Sequence, residues 1–223
     1  MPLRIAAPAD TAGPDRPRAR VAMQTIGSTS WPNRHQRAFQ RLAAHLSAMS
    51  GKPIVLIVGP GAATRVMRPF LANGATPRSG PGRLLTDLAR FADQLLRRLP
   101  WMRLVSLEPA ELRAALDRPA HWMVVDRSPR VLRAVADDIP DAEFLEIDIA
   151  RQAIPRQADV VVAFNVIPRT DDPPAAMRHV AAAVRPGGYL LVDDRSAGRW
   201  LPGPPEFEKV DEKLYRRLPA APG

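Results

Sequence analysis

Five consecutive apolar residues, Ile54, Val55, Leu56, Ile57 and Val58, run into Gly59-Pro60-Gly61. Four of the five are β-branched and no polar residue alternates with them. That pattern predicts a strand buried on both faces, as in a parallel sheet. Upstream, Phe39, Leu42, Leu46 and Met49 recur at spacings of three and four, which predicts a helix that starts after an Asn33 cap and ends near Gly51. Downstream of the glycine turn a helix is expected over 62–71, limited by Pro69. A loop over 73–82 follows. Leu84, Leu88, Phe91, Leu95 and Leu99 then mark an amphipathic helix stopped by Pro100. An extra strand over 101–107 and a short helix over 109–116 complete this part.

The second half alternates more plainly. Strands are expected over 121–126, 143–148 and 159–165, with a helix over 129–135 between the first two. A helix over 173–184 carries Met177, Val180, Ala181 and Val184 as its buried stripe. Arg185-Pro186-Gly187-Gly188 reads as a turn into a strand over 189–193. A Gly/Pro-rich loop follows, then two short strands over 206–218 around Asp211-Glu212. Alternation of strand and helix implies an α/β fold with a largely parallel sheet. Residues 1–30, rich in Pro, Ala and Arg without a period, are expected to be a loose or lid-like arm, with one domain over 31–223.

Composition narrows the function classes. The chain has 223 residues, enough for one domain with an inserted piece. There is no cysteine, so disulfides, thiolate nucleophiles and cysteine-ligated metals are excluded. The four histidines show no metal-ligand spacing, and no metal is expected. No apolar run approaches the roughly 20 residues of a membrane span, and the arginine-bearing N-terminus lacks an apolar signal core, so the expected compartment is the cytoplasm. A net charge of +9 admits nucleic acid as a partner, but the arginines are scattered rather than blocked.

The candidate chemistry lies at strand ends. Strand, glycine turn and the N-terminus of the expected helix over 62–71 form a nucleotide-binding corner whose backbone N–H groups can meet an anionic group. Asp126 and Asp148 each close an expected strand, 22 residues apart (148 − 126), one strand–helix–strand repeat. Taken alone, Asp126 before Arg-Ser-Pro suits a cap for the next helix, Asp148 suits a pair with a surface arginine, and Asn165 suits a turn. His179 reads as a surface residue of its helix.

Together the segments VLIVGPGAA, WMVVDRSPRVL, AEFLEIDI and ADVVVAFNVIPRTDDPPAAMRHVAAAVRPGGYLLV, with EKLYRRL more weakly, resemble a class I S-adenosylmethionine-dependent methyltransferase. The resemblance implies a Rossmann-like, doubly wound, mostly parallel seven-stranded sheet with a helical segment inserted after the first βα unit, at about 73–116. It implies S-adenosylmethionine as cofactor. Gly59, Pro60 and Gly61 would pass its methionine end, Asp126 with Arg127 its ribose, Asp148 and Ile149 its adenine, and Asn165 the region of the sulfonium. Trp31, Arg34 and Arg169 would lie near the acceptor, and arginines 97, 98, 103 and 169 would suit an anionic one. Two positions depart from the family pattern: Ile57 stands where an acidic residue is usual, and Ala63 where Gly is usual. Gly61 and Asp126 are 65 residues apart (126 − 61), so Glu108, after Leu104-Val105-Ser106-Leu107, is the alternative ribose ligand. The implied function is methyl transfer to a small-molecule acceptor, with no catalytic base assigned. The alternatives are an RNA methyltransferase, a cofactor-binding protein or enzyme of the same fold that moves no methyl group, and a nicotinamide-dependent oxidoreductase.

Overall fold

The computed structural model describes residues 35–61, 63–64, 88, 91–93, 95–96, 99, 104–105, 108–203 and 206–219. The expected N-terminal arm, Trp31, Arg34, the Asn33 cap, arginines 97, 98 and 103, and most of the 73–116 segment lie outside those residues.

A seven-stranded sheet organises the chain. Its strands are β1 (Ile54–Val58), β4 (His121–Asp126), β5 (Glu143–Glu146), β6 (Ala158–Ala163), β7 (Val184–Val192), β8 (Phe207–Asp211) and β9 (Leu214–Arg217). Their order is β5-β4-β1-β6-β7-β9-β8. The first five are parallel; β9 runs antiparallel to β7 and β8. The antiparallel pair is the hairpin expected around Asp211-Glu212.

Period-2 alternation sends the residues of each strand to two different cores. Val55 and Ile57 join Trp122, Val124 and Val162 under helices α1 (Gln36–Leu46), α2 (Glu108–Leu116) and α3 (Pro129–Ala136). Leu56 and Val58 join Met123, Val125 and Val161 under α4 (Pro173–Ala182) and α5 (Asp194–Trp200). Both faces are covered, as the unbroken apolar run required. Each fully buried Val, Leu or Ile contributes about 1.5–3 kcal/mol. Phe39, Leu42 and Leu46 of α1 are buried as their spacing predicted, and Met49 packs at the margin. The end of α1 is held by Arg118, which donates to the carbonyls of Leu46, Met49 and Gly51 at 2.5, 3.0 and 2.6 Å.

Several local expectations are corrected. Ala63–Thr64, expected to open a helix, form β2, which pairs antiparallel with β3 (Leu104–Val105) in a separate two-stranded sheet. The window had weak helical credentials, with Gly-Pro-Gly before it and Pro69 inside it, and a ladder partner was available. The helix that leads into β4 is α2. The turn expected at Arg185–Gly188 lies inside β7 as a bulge: register passes from Ala158↔Val184 to Val160↔Tyr189, and Gly187 takes φ +80°. The loop expected after β7 contains α5, started by the Asp193 carboxylate, which accepts the Ser196 N–H at 2.9 Å and its hydroxyl at 2.8 Å. Leu88, Phe91 and Leu95 are helical as expected but about half exposed, at 56%, 60% and 46%, rather than packed. Periodicity reports an amphipathic face and not what covers it.

Candidate cofactor site

Chain order and sheet order part company at β1. The chain moves outward from β1 through β4 to β5, then returns to place β6 on the other side of β1. The carboxyl ends of β1 and β6 therefore flank a crevice at the switch point of the sheet, the place where open α/β sheets bind ligands.

Gly59 occupies the first turn position with φ +60°, and its N–H donates to Val125 O at 2.8 Å. A Cβ there would overlap Val166 Cγ2 and stand 2.8 Å from Val166 Cβ. Conformation and space both demand glycine. Pro60 and Gly61 are buried beside it. Across the crevice Asn165 takes φ +55°, a left-handed geometry that Asn tolerates better than most residues. It is followed by a 3-10 turn, Ile167–Arg169, which leaves Arg169 exposed.

Asp126 ends β4, directly beside β1. Its carbonyl accepts the Ile147 N–H at 3.2 Å, which ties it to the end of β5. Its Oδ1 accepts the Ser128 N–H at 2.8 Å, so the helix-start role is partly real; Ser128 itself makes no side-chain cap. Burial pushes this carboxyl up to about 7, against the pull of the Ser128 N–H and the neighbouring Arg127 charge. Asp126 is thus a desolvated acceptor with little donor compensation. A vicinal diol has two O–H donors to offer it.

Asp148 lies two residues beyond β5. Its Oδ1 accepts the Ala150 N–H at 3.0 Å, and Arg151 Nε stands 3.6 Å from Oδ2. The surface-arginine pairing is therefore also present; Arg151 is largely exposed and contributes little. The Ile149 side chain is buried in the core above α4. Asp126 at the end of β4 and Asp148 just past the end of β5 stand on the same edge of the sheet, on neighbouring strands, and β4 is the one beside the strand that ends in the glycine turn. Glu108 does not join them as a strand tip: it opens α2, and Leu104–Val105 belongs to the small sheet, not beside β1. The donor set suits an adenosyl group: Asp126 and Asp148 are carboxylate acceptors on neighbouring strand ends, and the Gly59 turn stands at the switch point.

Three contacts at the site were not legible in sequence. Val166 packs where Gly59 has no side chain. His35, at the start of α1, stacks on Phe164 with ring centroids 3.8 Å apart and planes 5° apart. His179, expected at the surface, is half-buried with Nδ1 2.8 Å from Ile149 O. All three join residues far apart in the chain, and no local period announces them.

Residues 108–190 match the family model described as a methyltransferase domain. The matched segment contains Asp126, Asp148 and Asn165 and excludes the glycine turn. A 64-residue stretch is 41% identical to a highly reducing polyketide synthase, GPY1, from Gibberella fujikuroi; it covers 27% of this chain and 2% of that protein. Among solved structures, the N-methyltransferase NodS from Bradyrhizobium japonicum WM9, in complex with S-adenosyl-L-homocysteine, is similar at 15% identity and a TM-score of 0.44, over 83% of this chain and 89% of that one. CalS10, an amino pentose methyltransferase from Micromonospora echinaspora, is similar at 14% identity and a TM-score of 0.41, over 73% and 51%. The chain thus carries a match to a methyltransferase domain over 108–190, on a Rossmann-like, mostly parallel seven-stranded sheet.

Proposed function

We propose that this protein transfers the methyl group of S-adenosylmethionine to a small-molecule acceptor. The observation that carries the reading is the pair of carboxylates on adjacent parallel strands, Asp126 at the tip of β4 and Asp148 two residues past β5, with the left-handed Gly59 turn at the end of the next strand, β1. In this reading Asp126 takes the ribose hydroxyls, with Arg127 beside it, and Asp148 takes the adenine amino group, with Ile149 at the adenine edge. Gly59, Pro60 and Gly61 pass the methionine end, and Asn165 stands by the sulfonium. When bound, the cofactor supplies an electrophilic methyl group. The protein supplies alignment of the acceptor and exclusion of water, which account for much of the rate in such a displacement. A general base is needed only where the acceptor's own pKa is high. Arg169, and Trp31 and Arg34 upstream of α1, would face the acceptor. The scattered arginines favour a small molecule over a polynucleotide.

Calorimetric titration with S-adenosylmethionine, S-adenosylhomocysteine and NADPH tests the cofactor. The two adenosyl-sulfur ligands should bind and NADPH should not. Loss of a charged hydrogen bond at Asp126, about 1.5–3 kcal/mol, should weaken S-adenosylhomocysteine binding about tenfold or more in Asp126→Ala, while Glu108→Ala changes it little. Binding of NADPH alone, or the reverse order of the two variants, would overturn the assignment.

A further inference from the structure

The turn Asp148-Ile149-Ala150 is held from two sides. From within, Asp148 O accepts the Arg151 and Gln152 N–H groups at 2.9 Å each, and Asp148 Oδ1 accepts the Ala150 N–H. From outside, the only side chain described as reaching the Ile149 carbonyl is that of His179, 30 residues away on α4. A carbonyl only accepts, so the proton of this bond sits on His179 Nδ1. Helix α4 is itself rigidly started: Pro173 and Pro174 open it, and Asp172 Oδ1 accepts the Ala175 N–H at 2.9 Å. It buries Ala176, Met177 and Val180 against the sheet. His179 therefore ties the turn that carries Asp148 to a helix packed on the sheet.

We propose that His179 is a positioning residue of the adenosyl site. Its Nδ1–H fixes the Ile149 carbonyl, and through it the direction of the Asp148 carboxylate. This rests on the adenine assignment made above. The bond spans a half-buried edge, so its net worth is that of an ordinary protein hydrogen bond. Its loss should appear as looser binding of the adenosyl group and not as loss of the fold.

Two opposite substitutions separate the donor from the ring. His179→Asn keeps an amide N–H near the position of Nδ1 and removes the ring. His179→Phe keeps the ring and removes the donor. Titration with S-adenosylhomocysteine, with thermal unfolding recorded in parallel, should give His179→Phe about three- to tenfold weaker binding and His179→Asn within about twofold of wild type. In turnover, His179→Phe should raise KM for S-adenosylmethionine and leave kcat within about twofold. Equal binding by wild type and His179→Phe would overturn the proposal, whatever the unfolding temperatures. So would His179→Asn binding as poorly as His179→Phe, because the ring and not the proton would then matter. Failure of wild-type protein to bind the ligand at all would instead defeat the cofactor assignment, and this inference with it.

Discussion

Gly59→Ala is the perturbation whose cost can be worked most directly from the structure. Two separate penalties apply. The backbone sits at φ +60°, where an L side chain costs about 1–2 kcal/mol. The added methyl would also overlap Val166 Cγ2 and lie 2.8 Å from Val166 Cβ. The second contact is at the root of the side chain, so a rotamer change cannot clear it, and the β6 tip must shift. Overpacking of this kind costs about 1–3 kcal/mol. The sum, about 2–5 kcal/mol, is a large share of the roughly 5–15 kcal/mol that holds a domain of this size. In urea unfolding, with a slope of about 2–3 kcal/mol per molar, the midpoint should fall by about 1–2 M. A double-mutant cycle with Val166→Ala tests the cause. That background removes Cγ2 and leaves Cβ, so it should return about 1 kcal/mol or more of the loss. The reasoning fails if the two changes are additive to within about 0.5 kcal/mol, or if Gly59→Ala alone costs less than that.

Three further outcomes follow from the same structure. Because burial holds the Asp126 carboxyl at about 7 in the free protein, S-adenosylhomocysteine affinity should fall about tenfold per pH unit below 7, and Asp126→Asn should remove that slope. The raised pKa also means that the folded state binds this proton more tightly than the unfolded chain, so ligand-free stability should decline as pH rises from about 4 to about 7, measured by urea unfolding. Arg118→Ala removes a shared donor from the carbonyls of Leu46, Met49 and Gly51, of which Leu46 O keeps the Met49 N–H, and should cost about 1–2 kcal/mol in urea unfolding, with Arg118→Lys recovering only part because it lacks the planar fork. Polynucleotide binding, measured by anisotropy with single-stranded RNA, should be weak, with no steep salt slope; a steep slope would favour RNA as the acceptor.

Much of the sheet is legible in the chain because burial on both faces leaves a simple mark. The run Ile54–Val58 carries no polar residue, and all but its first residue are buried. His121–Asp126 is apolar and buried between its two polar ends, and Ala158–Ala163 is buried except at Asp159. The Asp126 position was legible for a related reason, an acidic residue just after an apolar run marking the strand end, whereas the strand expected over 143–148 stops at Glu146 and leaves Asp148 in the turn beyond it. Local chemistry hid other features. Asp193 and Ser196 form a good helix start, but Gly198, Pro202 and Gly203 nearby made the stretch look like loop. The bulge in β7 was hidden because Pro186 and the two glycines look the same in a turn and in a bulge. Between β1 and β4 the sequence offered two candidate strands, and only pairing distinguishes them: Leu104–Val105 has its partner in Ala63–Thr64, and β4 has its partner in β1. Contacts such as His179 with Ile149 depend on the folded arrangement of distant segments and leave no period to read.

The most direct test of the account is a crystal structure of the protein grown with S-adenosylhomocysteine. The ribose hydroxyls should lie about 2.5–3.0 Å from the Asp126 carboxylate, with the adenine amino group directed at Asp148 and the homocysteine chain passing Gly59 and Gly61. A ligand bound away from the ends of β1, β4 and β5, or an Asp126 that still contacts nothing but the Ser128 N–H, would contradict it.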